Sequence, residues 1–256
     1  MKLATFNANS IRARLPIIRD WLDLARPDIL CIQETKVQDK DFPVNDFEGA
    51  GYNVIFRGQK SYNGVAMVSR TSLEDVRLDL YDEEDEQARF MSARYKDISV
   101  INVYVPQGYA PGTEKFEYKL RWFRDLLSHI KERYDPAMPL IVTGDFNVAL
   151  EPIDLYDPEG SRGEAGYHPE EQAILRDYFE WGLVDLFREQ NPGGGHYTFW
   201  DYRIPNGFKR NRGWRIDYIL ATRPLAEKAK KVWIDTEPRG LQKPSDHTFL
   251  VAEFQI

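Results

Sequence analysis

Cysteine is almost missing from this chain. The single Cys31 excludes an internal disulfide and any zinc site built from several thiolates. Long apolar runs are missing too: none approaches the roughly 18 residues that a membrane span needs. The start, MKLATFNANS, has no apolar stretch of signal-peptide length, so a reducing cytoplasm is the expected address. Internal repeats, low-complexity tracts and Gly/Ser linkers are likewise absent, which leaves no sign of a solenoid or of tethered modules. Disorder and collagen are excluded by what is present, 42% hydrophobic and 29% charged residues.

The 256 residues allow one or two domains. The longest irregular stretch, 151–168, is rich in Pro, Gly and acid but is too short for a convincing boundary, so a single domain over 1–256 is expected. The net charge of −7 argues mildly against a nucleic-acid partner. The charge is unevenly spread, however. Residues 82–86 form an acidic run that reads as a solvated loop, whereas 203–215 carry Arg203, Lys209, Arg210, Arg212 and Arg215 with no acid among them. A local basic stretch can meet a polyanion even on an acidic protein. Aromatic residues reach 13%, with six Trp and fourteen Tyr, more than a plain core needs.

Short apolar runs predict strands at 2–6, 28–32, 53–56, 64–69, 90–95, 98–105, 140–143, 196–200, 216–221, 231–234 and 248–254. Helical spacing of Leu15, Ile18, Leu22 and Ala25 predicts a helix stopped by Pro27. Phe116, Leu120, Phe123, Leu127, Ile130 and Tyr134 make one clean helical stripe. Pro169-Glu170-Glu171 opens a third helix, with Pro and acids in its first turn. Many short buried strands with few helices imply two sheets packed face to face, with helices outside.

Polar residues collect at the ends of these runs. Asn7 follows the first, Gln33-Glu34 the second and Asp145-Phe146-Asn147 the run at 140–143, while Asp217 opens one strand and Ser245-Asp246-His247 precedes the last. If those ends meet at one rim, they form an oxygen-rich pocket with one imidazole. Oxygen donors without thiolates suit a hard cation such as magnesium, and that chemistry points to phosphoryl transfer. Gly144 allows close backbone approach. Asp145 and Asn147 would point the same way in an extended chain. Tyr104 shares a strand face with Ile98, Val100 and Asn102.

These residues sit in FNANSIRAR (6–14), CIQETK (31–36), NVYVPQG (102–108), GDFN (144–147), WGLVDLFR (181–188), YTFWDYR (197–203), NRGWRIDYIL (211–220) and PSDH (244–247). In that order, the set resembles the exonuclease III family of AP endonucleases, within the larger DNase I-like group. The resemblance spans nearly the whole chain. It implies a four-layer α/β sandwich of two packed mixed β-sheets flanked by helices. It also implies a DNA repair nuclease that uses one or two divalent ions, magnesium or manganese. The substrate would be double-stranded DNA, cut 5′ to an abasic site or trimmed at a damaged 3′ end, and the simplest expectation is a monomer away from membranes.

The resemblance also implies roles. Glu34 would be the main metal ligand, helped by Asn7 and, through water, by Asp246, with Asp145 and Asn147 beside the ion. Asp145 would bind or deprotonate the attacking water, and Asn147 would hold it with a phosphate oxygen. His247 would donate to the phosphate, oriented by Asp217. Tyr104 would bond a phosphate oxygen or support the nucleophile. Asn9 stands where some relatives have Asp, so one negative charge is lost and a second metal would bind more weakly. Phe199, Trp214 and Ile216 would line a pocket for a flipped-out abasic sugar, with Trp200 in the core. Arg203, Lys209, Arg210, Asn211 and Arg212 would contact phosphates, with Lys115, Lys119 and Arg121 as weaker candidates. Competing readings are a phosphodiesterase of the same fold for RNA, a nucleotide or a lipid headgroup, and a non-catalytic DNA-binding module.

Overall fold

The computed structural model describes residues 1–81 and 87–256; the acidic run at 82–86 lies outside the described residues. In chain order the elements are β1 (Lys2–Asn7), α1 (Ile11–Ala25), β2 (Ile29–Gln33), α2 (Val44–Gly49), β3 (Asn53–Arg57), β4 (Val65–Ser69), β5 (Glu74–Arg77), β6 (Phe90–Tyr95), β7 (Ile98–Tyr104), α3 (Glu114–Arg133), β8 (Leu140–Asp145), α4 (Pro169–Trp181), β9 (Leu183–Asp185), α5 (Leu186–Gln190), β10 (Asp217–Thr222), α6 (Arg223–Ala226), β11 (Ala229–Asp235) and β12 (Phe249–Phe254).

They form two six-stranded mixed sheets, ordered β11-β12-β1-β2-β4-β3 and β5-β6-β7-β8-β10-β9. Each has one parallel pair at its centre, β1 with β2 and β7 with β8, and antiparallel neighbours elsewhere. A parallel pair needs a crossover, which α1 supplies in the first sheet and α3 in the second. Leu3, Cys31, Met67 and Leu250 of the first sheet pack against Met91, Val100, Ile141 and Ile219 of the second in one buried cluster. The outer face of the first sheet is covered by α1 and α2 through Ile18, Trp21, Leu22 and Phe47. That of the second is covered by α3 and α4 through Phe116, Leu120, Phe123, Ile174 and Tyr178. The result is helix, sheet, sheet, helix: four layers. Both sheets are covered on both faces, which is why their central strands read as unbroken apolar runs.

The local signals act as their chemistry dictates. Arg26 caps α1 in the left-handed region just before Pro27, and the Thr113 side chain accepts from the Phe116 amide at the start of α3. Gly144 has φ +140°, and a Cβ there would lie 2.0 Å from the Val103 carbonyl of the neighbouring strand, so only glycine lets β8 pass.

One expected strand is not formed. Residues 196–200 make only single bridges, from Phe199 to Trp214 and to His247. The apolar run there is explained by packing without a ladder partner: Tyr197 and Trp200 are buried, while Phe199 is partly exposed at the cleft.

Candidate active site

The parallel pairs place the site. Asn7 ends β1, Gln33 ends β2 just before Glu34, Tyr104 ends β7 and Asp145 ends β8. These carboxyl ends lie at one edge of the sandwich, where α/β folds gather ligands. The antiparallel neighbours run the other way, so the same edge receives the start of β10, at Asp217, and the approach to β12, at Asp246 and His247. A hydrogen bond from Asn7 to Asp145 (2.8 Å) closes the rim across the two sheets.

Asn7 Nδ2 donates to Glu34 Oε1 and to Asp145 Oδ2, both at 2.8 Å. The amide therefore turns nitrogen, not oxygen, toward the carboxylates. Its Oδ1 accepts the Asn9 backbone N–H at 2.9 Å, so Asn7 here bridges two acids through its nitrogen. Tyr104 hydrogen-bonds Glu34, and burial with the nearby Glu34 and Asp145 charges raises its hydroxyl far above the ordinary tyrosine value. The phenol is a donor here. His247 Nδ1 bonds Asp217 Oδ2 at 2.8 Å, while its Nε2 lies 3.7 Å from Asp145 Oδ2. Burial disfavours the imidazolium, but the Asp217 and Asp145 carboxylates outweigh it and push the pKa up to about 10. His247 is thus a cation and a donor at neutral pH. Asp145 moves up from the usual carboxylate range because it is buried, an effect that His247 opposes and that the Asp217 and Glu34 charges reinforce.

Asn147 is not in extended chain, which corrects the expectation from spacing. Its φ is +52°, and its backbone N–H donates to Asp145 Oδ1 at 2.8 Å. The turn brings Asn147 beside Asp145 by another route, with Nδ2 donating to the Val105 carbonyl at 2.9 Å.

Asp145, Asp217 and His247 could hold a metal ion, with ligand atoms within 4.8 Å of one another. A protonated imidazole already bonded to Asp217 makes a poor ligand. The partly buried Glu34 and Asp246, with Asp145, offer carboxylate oxygens of the kind a hard cation takes. Burial, with the Asp217 and Glu34 charges added to it, disfavours the Asp145 anion, and a cation held beside it would offset that cost. This donor set fits a divalent ion.

A cleft of about 530 Å³ joins this cluster to an apolar wall. Glu34, Tyr104, Asn147, Asp246 and His247 line one part and Phe199, Trp214 and Ile216 another. The Phe199 ring lies 4.9 Å from His247. Trp214 and Phe199 rest on a small separate core of Ala149, Leu155, Tyr167 and Ile216. Trp200 is buried, with Nε1 donating to Asn211 Oδ1 at 3.3 Å.

A match to the Endonuclease/Exonuclease/phosphatase family spans residues 4–247. The chain belongs to that family. Within it, the chain is 35% identical to exodeoxyribonuclease III of Haemophilus influenzae over the full length of both proteins. Among solved structures, an AP endonuclease from Archaeoglobus fulgidus is 43% identical, with a TM-score of 0.97 and complete coverage of both chains. The 3′ phosphatase NExo from Neisseria, solved with product DNA hairpin, is 37% identical at a TM-score of 0.96, again with complete coverage of both. These relatives place the chain in the exodeoxyribonuclease III and AP endonuclease branch, as a nuclease with the four-layer sandwich of that branch.

The basic stretch is mixed in character. Arg203 and Arg212 line the cleft. Arg203 also clasps Asp201, at 2.8 and 2.6 Å, and Arg212 lies over the Tyr156 ring at 5.8 Å. Lys209 and Arg210 are exposed. Asn211 supports Trp200 and donates to the Gly195 carbonyl at 2.8 Å, so its side chain serves the loop. Arg215 is buried against Asp154 and Asp185. Lys119 is fully buried and is no surface contact.

The side-chain contacts of three site residues, Lys36, Asn9 and Ser245, escape sequence reasoning. Lys36 Nζ donates to Glu34 Oε2 at 2.7 Å and to Asn9 Oδ1 at 2.5 Å. It outweighs the effect of burial and holds the Glu34 carboxyl below its usual range. Asn9 in turn donates to Asp246 at 2.9 Å. Ser245 accepts the His247 amide and donates to the Asn7 carbonyl at 2.7 Å, pinning the last loop to β1. A sequence signal existed for the loops but not for these pairings: Asn9, Glu34 and Lys36 all have positive φ, which nothing in the residue types announces.

Proposed function

We propose that the protein is a magnesium-dependent DNA repair nuclease, with manganese as a substitute, that hydrolyses the phosphodiester 5′ to an abasic site in duplex DNA and also processes 3′ ends. The observation that carries this reading is one continuous cleft with acids and an imidazolium in one part and Phe199, Trp214 and Ile216 in another. A nucleotide that lacks its base is cheap to unstack, and an apolar pocket accepts the bare sugar while excluding a full nucleotide. The names of the relatives, exodeoxyribonuclease III, AP endonuclease and 3′ phosphatase, support the two activities.

Glu34, Asp145 and Asp246 would hold the divalent ion, with Asn7 fixing Glu34 and Asp145 in place. Bound there, the ion supplies charge compensation for the phosphate and the departing 3′ oxygen. Asp145 takes the proton of the attacking water, a task for which its raised pKa suits it. Asn147 holds that water against the phosphate. His247 donates from Nε2 to a phosphate oxygen as negative charge builds, and Asp217 fixes the ring and its charge. Tyr104 donates to a second phosphate oxygen. Arg203, Lys209, Arg210 and Arg212 contact flanking phosphates.

The test compares one labelled duplex with an abasic site, the same duplex intact, a single-stranded RNA and bis-p-nitrophenyl phosphate, all in magnesium. The proposal expects strong preference for the abasic duplex. Efficient hydrolysis of the RNA or the small diester with no abasic cleavage would replace it with a general phosphodiesterase. Binding of the duplex with no cleavage in magnesium or manganese would leave a non-catalytic module.

A further inference from the structure

We propose that the buried pair of Lys119 and Glu171 is a positioning device that sets the spacing of three walls of the cleft, and with it the fit of the pocket to its sugar. The role in substrate fit rests on the function proposed above; the clamp itself does not. Lys119 lies on α3 and Glu171 on α4, their side chains form an ion pair, and both are 0% exposed. They can act only through what they hold.

What they hold is the cleft. Lys119 Nζ donates to the Asn147 carbonyl at 2.8 Å and to the Gln107 carbonyl at 3.3 Å. With Glu171, that uses all three protons of the ammonium. Glu171 Oε2 accepts from the backbone N–H of Gly166 at 2.8 Å and of His168 at 3.1 Å. Gln107, Asn147 and Gly166 all line the cleft, Gln107 in the turn after β7 and the other two at opposite ends of the connection from β8 to α4. The loops are also seated tightly. A Cβ at Gly108 would lie 2.9 Å from Lys119 Cδ, and one at Gly166 would lie 3.0 Å from the Trp214 ring. One buried charge pair thus joins the turn after β7, the turn after β8 and the approach to α4, and through Gly166 it meets the ring that forms the apolar wall.

Helix capping alone does not explain the pair. The cap of α4 needs Glu171 only on the His168 amide, and Lys119 adds nothing to it. Stability alone does not explain it either, because apolar residues of similar volume generally serve a core as well as a buried ion pair does. The arms of this pair end on cleft backbone.

The variant to make is Lys119→Met with Glu171→Gln. It removes both charges together, so neither is left buried alone, and the new amide oxygen keeps an acceptor for the α4 cap. Thermal unfolding first establishes that the variant folds. Hydrogen exchange, without DNA, then reads the clamp. Exchange should speed up together in the segments 107–112, 145–149 and 163–168, with the sheets unchanged. Anisotropy in calcium reads the fit, using a duplex with a tetrahydrofuran abasic analogue and the same duplex intact. The variant should lose about tenfold or more of the wild-type preference for the analogue while its affinity for intact duplex stays within about twofold, as expected when a pocket shifts but its charges remain. In magnesium, the loss on the abasic duplex should fall mainly on KM. A folded variant with wild-type exchange in the three segments overturns the clamp. Faster exchange with undiminished preference overturns its role in fit. Faster exchange with a wild type that never prefers the analogue would leave the clamp standing and remove the abasic-site reading. Should the double variant fail to fold, Lys119→Arg, which keeps the charge and shifts the donors, takes the same measurements with the same criteria.

Discussion

Asp145 is where the chemistry and the stability of this protein pull apart. A carboxyl whose folded-state pKa lies above its ordinary value costs stability as pH rises past the ordinary value, because the buried anion is disfavoured. Asp145→Asn should therefore abolish most cleavage, by roughly 10²–10⁴-fold as for a lost general base, yet unfold in EDTA at a temperature no lower than the wild type. A strongly lowered melting temperature would show that the carboxylate is structural. His247 carries the opposite sign. Its pKa is raised to about 10, so its contribution is complete below an unfolded value near 6.5 and is lost as pH rises through about 10. In EDTA the stability difference between wild type and His247→Gln should be constant in mild acid and shrink between those limits. A gap that widens with pH would contradict the imidazolium assignment. Beside them, Lys36 joins Glu34 to the neutral amide of Asn9, which in turn donates to Asp246. Asn9→Asp should raise the number of manganese ions bound at saturation or tighten the weaker one, read by electron paramagnetic resonance.

At the scale of elements, legibility followed burial. The central strands were readable because both faces are covered, so their apolar runs carry no gaps. β5 and β9 were not readable: β5 is a mostly exposed edge strand of charged residues, and β9 is three residues long. The stripe of α3 was readable, but the helix buries a wider face than the stripe, including Trp122, Leu126, His129 and Lys119. Lys119 looks like a surface residue by type, and only its pairing with Glu171 on another helix reveals otherwise. Five of the six strand ends that form the site were visible as polar punctuation of apolar runs. Their convergence followed from the two central parallel pairs, which no single strand signals. The 3₁₀ turn at Pro152–Asp154 shows the same limit. Burial would raise the Asp154 carboxyl, but Arg215 and Arg188 outweigh it and hold it below the usual range. That stabilisation is present above about pH 4 and is lost as pH falls through the folded value. Asp154→Asn should cost about 3–5 kcal/mol at neutral pH, the usual cost of breaking a buried pair, and should flatten the acid limb of the stability profile. Urea unfolding at several pH values checks both.

For the whole molecule, the negative total charge and the proposed DNA partner are reconciled by distribution. No helix among the described residues is long and apolar enough to cross a membrane, and the basic stretch at 203–215 borders the cleft. Alanine at Lys209 and Arg210 together, both exposed and outside the cleft lining, should weaken binding to any duplex alike and reduce the salt slope by about one for each phosphate that is no longer neutralised. Preference for an abasic analogue should survive, because the pocket at Phe199, Trp214 and Ile216 is separate from these charges. In the proposed function the strand ends of the two sheets would supply the reacting groups, and the loops between β8 and β10 the substrate fit. The most direct measurement on the whole account is an end analysis of a single abasic duplex after metal removal and after magnesium return. No cut is expected in EDTA, and with magnesium one nick leaving a 3′ hydroxyl and a 5′ deoxyribose phosphate. Undiminished cutting by the stripped protein, or a nick on the 3′ side of the lesion, would contradict the proposed function.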